Sequence, residues 1–192
     1  MRVEKFFEKW NGEKTKYDYK SMEAFGLPEE YCYALSVYGL PKYIEPGMNF
    51  EREEEAVVSA VEKKGYFYLG FQVNEMYICV RKKDFAIILV GMDDFAVDED
   101  EEYEDYEIEE KVLNSSLDGL YGCLYCYYEF TESRKDFTEE EYDEKYEELL
   151  ERVEQEDSSM PQYGFWYAEF EELDVFEDYE DGDYEEEYDE EE

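Results

Sequence analysis

Three apolar, β-prone runs lie so close together between residues 66 and 92 that the chain has little choice in how to pair them. Tyr66-Phe67-Tyr68-Leu69-Gly70-Phe71-Gln72, Met76-Tyr77-Ile78-Cys79-Val80 and Phe85-Ala86-Ile87-Ile88-Leu89-Val90 are joined by Asn74-Glu75 and by Arg81-Lys82-Lys83-Asp84. A parallel neighbour needs a crossover of about a dozen residues or more, and neither connection has them. An antiparallel meander with strands over 66–72, 76–81 and 85–92 is therefore expected. The third run is the most apolar and reads as a central strand buried on both faces. A weaker β-prone stretch covers 57–61.

Helical signals flank this sheet. Val3, Phe6, Phe7 and Trp10 sit at helical spacing near the start. A second helix opens near Pro28, which tolerates a first turn because it lacks only an N–H that no carbonyl needs. Tyr31, Ala34, Leu35 and Tyr38 mark its inner face, and Gly39 with Pro41 ends it. After Val112-Leu113-Asn114, Ser115 or Ser116 is an N-cap for a helix carrying Leu117, Leu120, Cys123, Leu124 and Tyr127 on one face. Thr138 with Glu141 forms a capping box for another helix, reaching about Gln155. A last aromatic segment, 163–173, is expected to close over the core with Phe165, Trp166 and Phe170. The sum is one α+β domain over residues 1–173.

Acid is laid over this frame. The 192 residues hold 58 Asp and Glu against 18 Lys and Arg, a formal net charge of −40. Disordered acidic chains are poor in aromatics, whereas 22 Tyr, 13 Phe and 2 Trp argue for a packed domain. Two segments concentrate the charge. Residues 93–110 hold no basic side chain and read as a long acidic loop or an edge strand; residues 174–192 read as a disordered acidic tail. Nucleic acid and anionic membrane surfaces are repelled by such a chain, so a basic protein is the expected partner.

The chain has no histidine, which removes the usual general base and the commonest metal ligand. No nucleophile–base pair stands out, so no enzymatic activity is expected. Cys123-x-x-Cys126 lacks two further ligands for zinc and lies inside an amphipathic helix, so buried free thiols are expected there, and no cofactor. The 98–102 run lacks the spaced ligands and glycine of a calcium-binding EF-hand loop. Met1-Arg2-Val3-Glu4-Lys5 leads into no apolar signal region, and no apolar run approaches the ~18 residues of a membrane span. A cytoplasmic protein is expected.

The order of these pieces resembles the SUKH superfamily, most closely its fourth immunity-protein subfamily. Leu27-Pro28-Glu29-Glu30-Tyr31 leading to Leu35-Ser36-Val37-Tyr38-Gly39-Leu40-Pro41 is similar to that family's opening helix and exit, with Phe50 following. Leu69-Gly70 and Ile78-Cys79-Val80 resemble its paired strands. Asn114-Ser115-Ser116-Leu117, with Leu120 and Cys123-Leu124, resembles the entry to its long helix, and Phe165-Trp166 a late aromatic pair. The resemblance spans roughly 22–173; the acidic loop and tail depart from the family's pattern. It implies an immunity protein that binds and neutralises a cognate toxin of a polymorphic or contact-dependent system, often a basic nuclease. The other reading is an acidic nucleic-acid mimic that blocks a restriction or CRISPR-type effector.

Carboxylates interleaved with tyrosine suit either role, since they can stand where a partner expects phosphates while tyrosine adds rigid contact area. The candidate contact residues are Asp93, Asp94, Asp98, Asp100, Glu102, Tyr103, Asp105 and Tyr106.

Overall fold

The three closely spaced runs pair as an antiparallel meander. In the computed structural model, which describes residues 2–45, 47–72, 76–92, 95, 108–158 and 166, they form β5 (Tyr66–Gln72), β6 (Met76–Arg81) and β7 (Ile87–Gly91). Phe67 pairs with Val80, and Ile78 with Leu89. The sheet is wider than the sequence announces. Two-residue strands β3 (Tyr43–Ile44) and β4 (Met48–Asn49) extend one side and β8 (Glu110–Asn114) the other, giving the sequential order β3-β4-β5-β6-β7-β8. A separate ladder joins β1 (Lys14–Thr15) to β2 (Leu40–Pro41).

Phe85 and Ala86, expected in the third strand, precede it, and Met92 follows it. Phe85 sits at φ 61°, a left-handed turn closed by its N–H donating to the Arg81 carbonyl at 2.8 Å. The Tyr31 hydroxyl donates to the Phe85 carbonyl at 3.1 Å, tying this strained corner to a helix.

Strand side chains alternate between faces, and here both faces are apolar. Phe67, Leu69, Ile78, Val80, Ile87 and Leu89 join one core; Tyr66, Tyr68, Tyr77, Cys79, Ile88 and Val90 join a second. The central strand buried on both sides is thus present in β7. Over the first face lie α1 (Arg2–Lys9), α2 (Tyr19–Phe25), α3 (Glu29–Val37) and α5 (Leu117–Ser133), with α6 (Glu139–Glu156) packed on α5. Over the second lies α4 (Glu55–Lys63).

That helix corrects the β-prone reading of 57–61. Val58 and Val61, three apart, fall on one helical face and bury against Tyr68 and Cys79. Glu55 and Lys63 sit at the ends where the helix dipole favours them, and tertiary burial overrides the weak β preference of valine.

The signals before α5 and α6 are realised in detail. Ser116 is the N-cap, accepting from Gly119 N–H at 3.1 Å, and Thr138 with Glu141 forms the capping box. α5 is buried nearly all round, because α1 and α6 flank it. Lys9, Tyr125 and Arg152 converge on Glu129, stapling these three helices. Burial would raise the Glu129 carboxyl, but those three partners outweigh it and hold it down at about 2.

Where α6 ends, buried Asp157 turns onto the entry of α5. It accepts from Ser115 N–H and Oγ, both at 2.6 Å, and from Asn114 Nδ2 at 3.1 Å; Trp166 Nε1 donates to Asn114 Oδ1 at 3.1 Å. Trp166 is buried as the sequence suggests; the rest of 163–173, and the tail 174–192, lie outside the described residues. Glycine makes this approach of two helices feasible. A Cβ on Gly119 would stand 2.6 Å from Asp157 Oδ2, and one on Gly122 2.6 Å from Glu156 Oε2.

Gly119→Ala therefore tests the packing. Alanine gains about 1 kcal/mol of helix propensity, while overpacking a site whose neighbour is hydrogen-bonded in place costs about 1–3 kcal/mol. The expected outcome is net destabilisation, read as a lower urea midpoint at unchanged slope. A stabilised variant would show that Asp157 moves freely.

Candidate partner-binding surface

Charge is partitioned along the chain more sharply than the total suggests. Residues 1–92 carry thirteen basic and fifteen acidic side chains, and residues 93–192 carry five and forty-three. Nearly the whole net charge thus begins where the meander ends. Twelve of the eighteen residues in 93–110 are acidic.

All eight candidate contact residues, Asp93, Asp94, Asp98, Asp100, Glu102, Tyr103, Asp105 and Tyr106, lie outside the described residues. What the structure places is the pair of points between which most of them hang. On the incoming side Phe95, 6% exposed, packs into the second core, edge-on to Tyr66 at 6.1 Å and tilted against Tyr77 at 5.9 Å. On the outgoing side Ile108 packs against the same core. Phe95 and Ile108 are two of several apolar or aromatic interruptions of an acidic run, and that is their only sequence signal.

Two residues on, Glu110 opens β8 and locks the outgoing end. The Tyr66 hydroxyl donates to it at 2.8 Å, the Arg81 guanidinium pairs with it, and Lys83 Nζ stands at 3.5 Å. Arg81 also forks onto Asp84 through Nε and Nη2, at 2.9 and 2.6 Å. Burial pushes the Tyr66 phenol up to about 12, and its bond to Glu110 adds to that. Burial works against the Glu110 carboxylate, but Tyr66 and Arg81 together keep its pKa below the ordinary range. The anchor is thus a charged pair held from both sides. Sequence reasoning missed Arg81 and Glu110, because 29 residues separate them and only the strand order brings them together.

The turn that follows Arg81 is basic, with Lys83 at the anchor and Lys82 Nζ 4.8 Å over the Phe25 ring. The Lys82 N–H donates to the Gly65 carbonyl at 3.0 Å, which sets the β6–β7 turn (Lys82, Lys83) against the end of α4 (Lys63, Lys64).

Other features offer less. A cleft of about 600 Å³ between α5 and α6 is lined by Lys9, Phe130, Phe137, Lys145, Leu149 and Arg152. Its cations are already matched, Lys9 and Arg152 by Glu129 and Lys145 by Glu148. Cys32, Cys79, Cys123 and Cys126 are all buried free thiols; burial pushes Cys126 up to about 11 and Cys79 and Cys123 higher. Among the described residues no helix is long and apolar enough to cross a membrane, and no cluster of His, Cys, Asp or Glu is arranged to hold a metal. No protein-family model, curated protein or solved structure matches the chain.

Proposed function

We propose that this chain is an immunity-type inhibitor that binds a basic protein, a cognate toxin of nuclease class, and neutralises it by occlusion. One observation carries the reading: Phe95 and Ile108–Glu110, which bracket residues 96–107 in sequence, are both packed onto the sheet. A tethered segment loses less freedom on binding than an untethered one, so more of its charge-pairing energy appears as affinity. The charge of −40 then raises the encounter rate with a cationic surface.

The sequence resemblance to SUKH immunity proteins supports the same reading, and the partner is identified by position in the genome, since an immunity gene sits beside its toxin. Association of the chain with the product of the adjacent reading frame is measured from low to high salt. The expected rate falls steeply as the Debye length shortens to ~8 Å near physiological ionic strength. A rate indifferent to salt, with a partner of neutral surface, removes the electrostatic mechanism. Inhibition of a restriction or CRISPR-type effector, with no effect on the neighbouring product, would favour the nucleic-acid-mimic reading instead.

A further inference from the structure

The cleft between α5 and α6, at about 600 Å³, has the size of a small-molecule site, which runs to roughly 300–1,000 Å³. Its shape follows from the reversal that joins the two helices. α5 ends at Ser133, the turn Arg134–Asp136 brings the chain back, and Phe137 precedes the Thr138 cap of α6. Phe130 stands between the helices, its ring 5.9 Å from Phe137 and 5.6 Å from Tyr142. Phe130, Phe137, Tyr128 and Leu149 give the cleft an apolar wall.

The polar lining is unequal in its use of donors and acceptors. Each of the three cations has a carboxylate, but Lys9 and Arg152 share one, Glu129. Glu129 accepts from Lys9 and the Tyr125 hydroxyl on Oε1 and from Arg152 Nη2 on Oε2, so both its oxygens are engaged. Arg152 uses one edge of its guanidinium there and has no other partner among the described residues. A planar fork held at one edge keeps its remaining donors in fixed directions. Lys145 is tied only to Glu148, an exposed pair of the kind that contributes little and opens readily. Glu132 is exposed at the same cleft and has no ion pair among the described residues. Three cations against three carboxylates leave the lining neutral, on a chain of −40. An anion meets less repulsion here than the chain's total charge suggests.

We propose that this cleft binds a monoanionic organic acid with an aromatic body, its anionic group on Arg152 and Lys9 and its ring against Phe130 and Phe137. Lys145 turns from Glu148 to join the anionic group. Other ligand classes fit less well. A cation finds Glu129 already saturated. A polyanion carries several charges into the field of a strongly acidic chain and past Glu132 and Glu148. A neutral apolar ligand takes water from the cleft's donors and returns no acceptor. The site is separate from residues 93–110, since α5 lies over the first face of the sheet whereas Phe95 and Ile108 pack on the second. The proposal therefore stands or falls independently of partner capture.

The probe is anilinonaphthalenesulfonate, a fluorescent aromatic monoanion, with its uncharged parent phenylnaphthylamine as the control. Fluorescence titration of the full chain is expected to show one saturable site, with the uncharged parent bound about tenfold more weakly or worse. Arg152→Gln is expected to weaken the dye by about tenfold or more, as one charge-assisted contact is lost. Because Arg152 also braces Glu129, a second variant uses the exposed Lys145. Lys145→Gln is expected to weaken the dye several-fold at an unchanged thermal melt. Glu132→Gln is expected to tighten it, a gain that loss of structure at this cleft does not produce. Absence of saturable binding overturns the proposal. Equal affinity for the uncharged parent overturns it too, since the cations would then play no part. A Kd indifferent to all three substitutions places the dye elsewhere, with the same consequence.

Discussion

Replacing Asp157 by alanine should cost about 2–4 kcal/mol of stability, since three hydrogen bonds to a carboxylate are lost at about 1.5–3 kcal/mol each, less what water restores to the two exposed Ser115 donors. Asp157 is 5% exposed and Asn114 fully buried, whereas Ser115 is exposed, so water can take over the Ser115 donors but not the Asn114 amide. The change removes the protein acceptor of the Ser115 N–H and hydroxyl, and it takes from Asn114 one acceptor for its buried amide. Asn114 Oδ1 is the acceptor for Trp166 Nε1, so the loss spreads to the contact that holds the late aromatic residue down. Asp157→Asn keeps the shape but turns an amide N–H₂ toward groups that also donate, and should cost about 1–3 kcal/mol. Urea unfolding followed by tryptophan fluorescence measures both, with the slope as a check on two-state behaviour. An alanine variant with the wild-type midpoint would mean that the junction of α5 and α6 is held by apolar packing alone.

What could be read in advance follows the range of the interactions involved. β5–β7 were legible because short connections leave one pairing, and the starts of α5 and α6 because Ser116 and Thr138–Glu141 satisfy helix N–H groups locally. β3, β4 and β8 were not. Two-residue strands carry no period, and Glu110-Lys111-Val112-Leu113-Asn114 becomes a strand only because β7 offers it an edge. α4 was obscured by valines, whose local preference loses to the burial of Val58 and Val61 on the Tyr68 face. The candidate surface divides the same way. Composition points to residues 93–110, but the anchors come from contacts of Phe95 with Tyr66 and Tyr77, and of Glu110 with Arg81. Only the tertiary fold supplies those.

The largest effect on partner binding is expected from neutralising the tethered segment. Asp93, Asp94, Asp98, Asp100 and Asp105→Asn with Glu102→Gln removes six charges while leaving Phe95, Ile108 and Glu110 in place. Fewer like charges also reduce self-repulsion, so the melting temperature should hold or rise and lost binding would not reflect unfolding. Close interfacial charge pairs are worth about 1.5 kcal/mol or more each when tightly coupled, so even two such pairs make the loss about a hundredfold in Kd. Deleting the chain after Leu173 removes thirteen acidic residues of a segment outside the described fold. Charge that acts only at a distance steers encounter, so this deletion should slow association several-fold and leave dissociation nearly unchanged. Both variants are compared with the full chain in a binding titration and in an assay of the partner's activity. Loss of binding on deleting the tail, with normal binding by the neutralised segment, would move the contact from residues 93–106 to the tail.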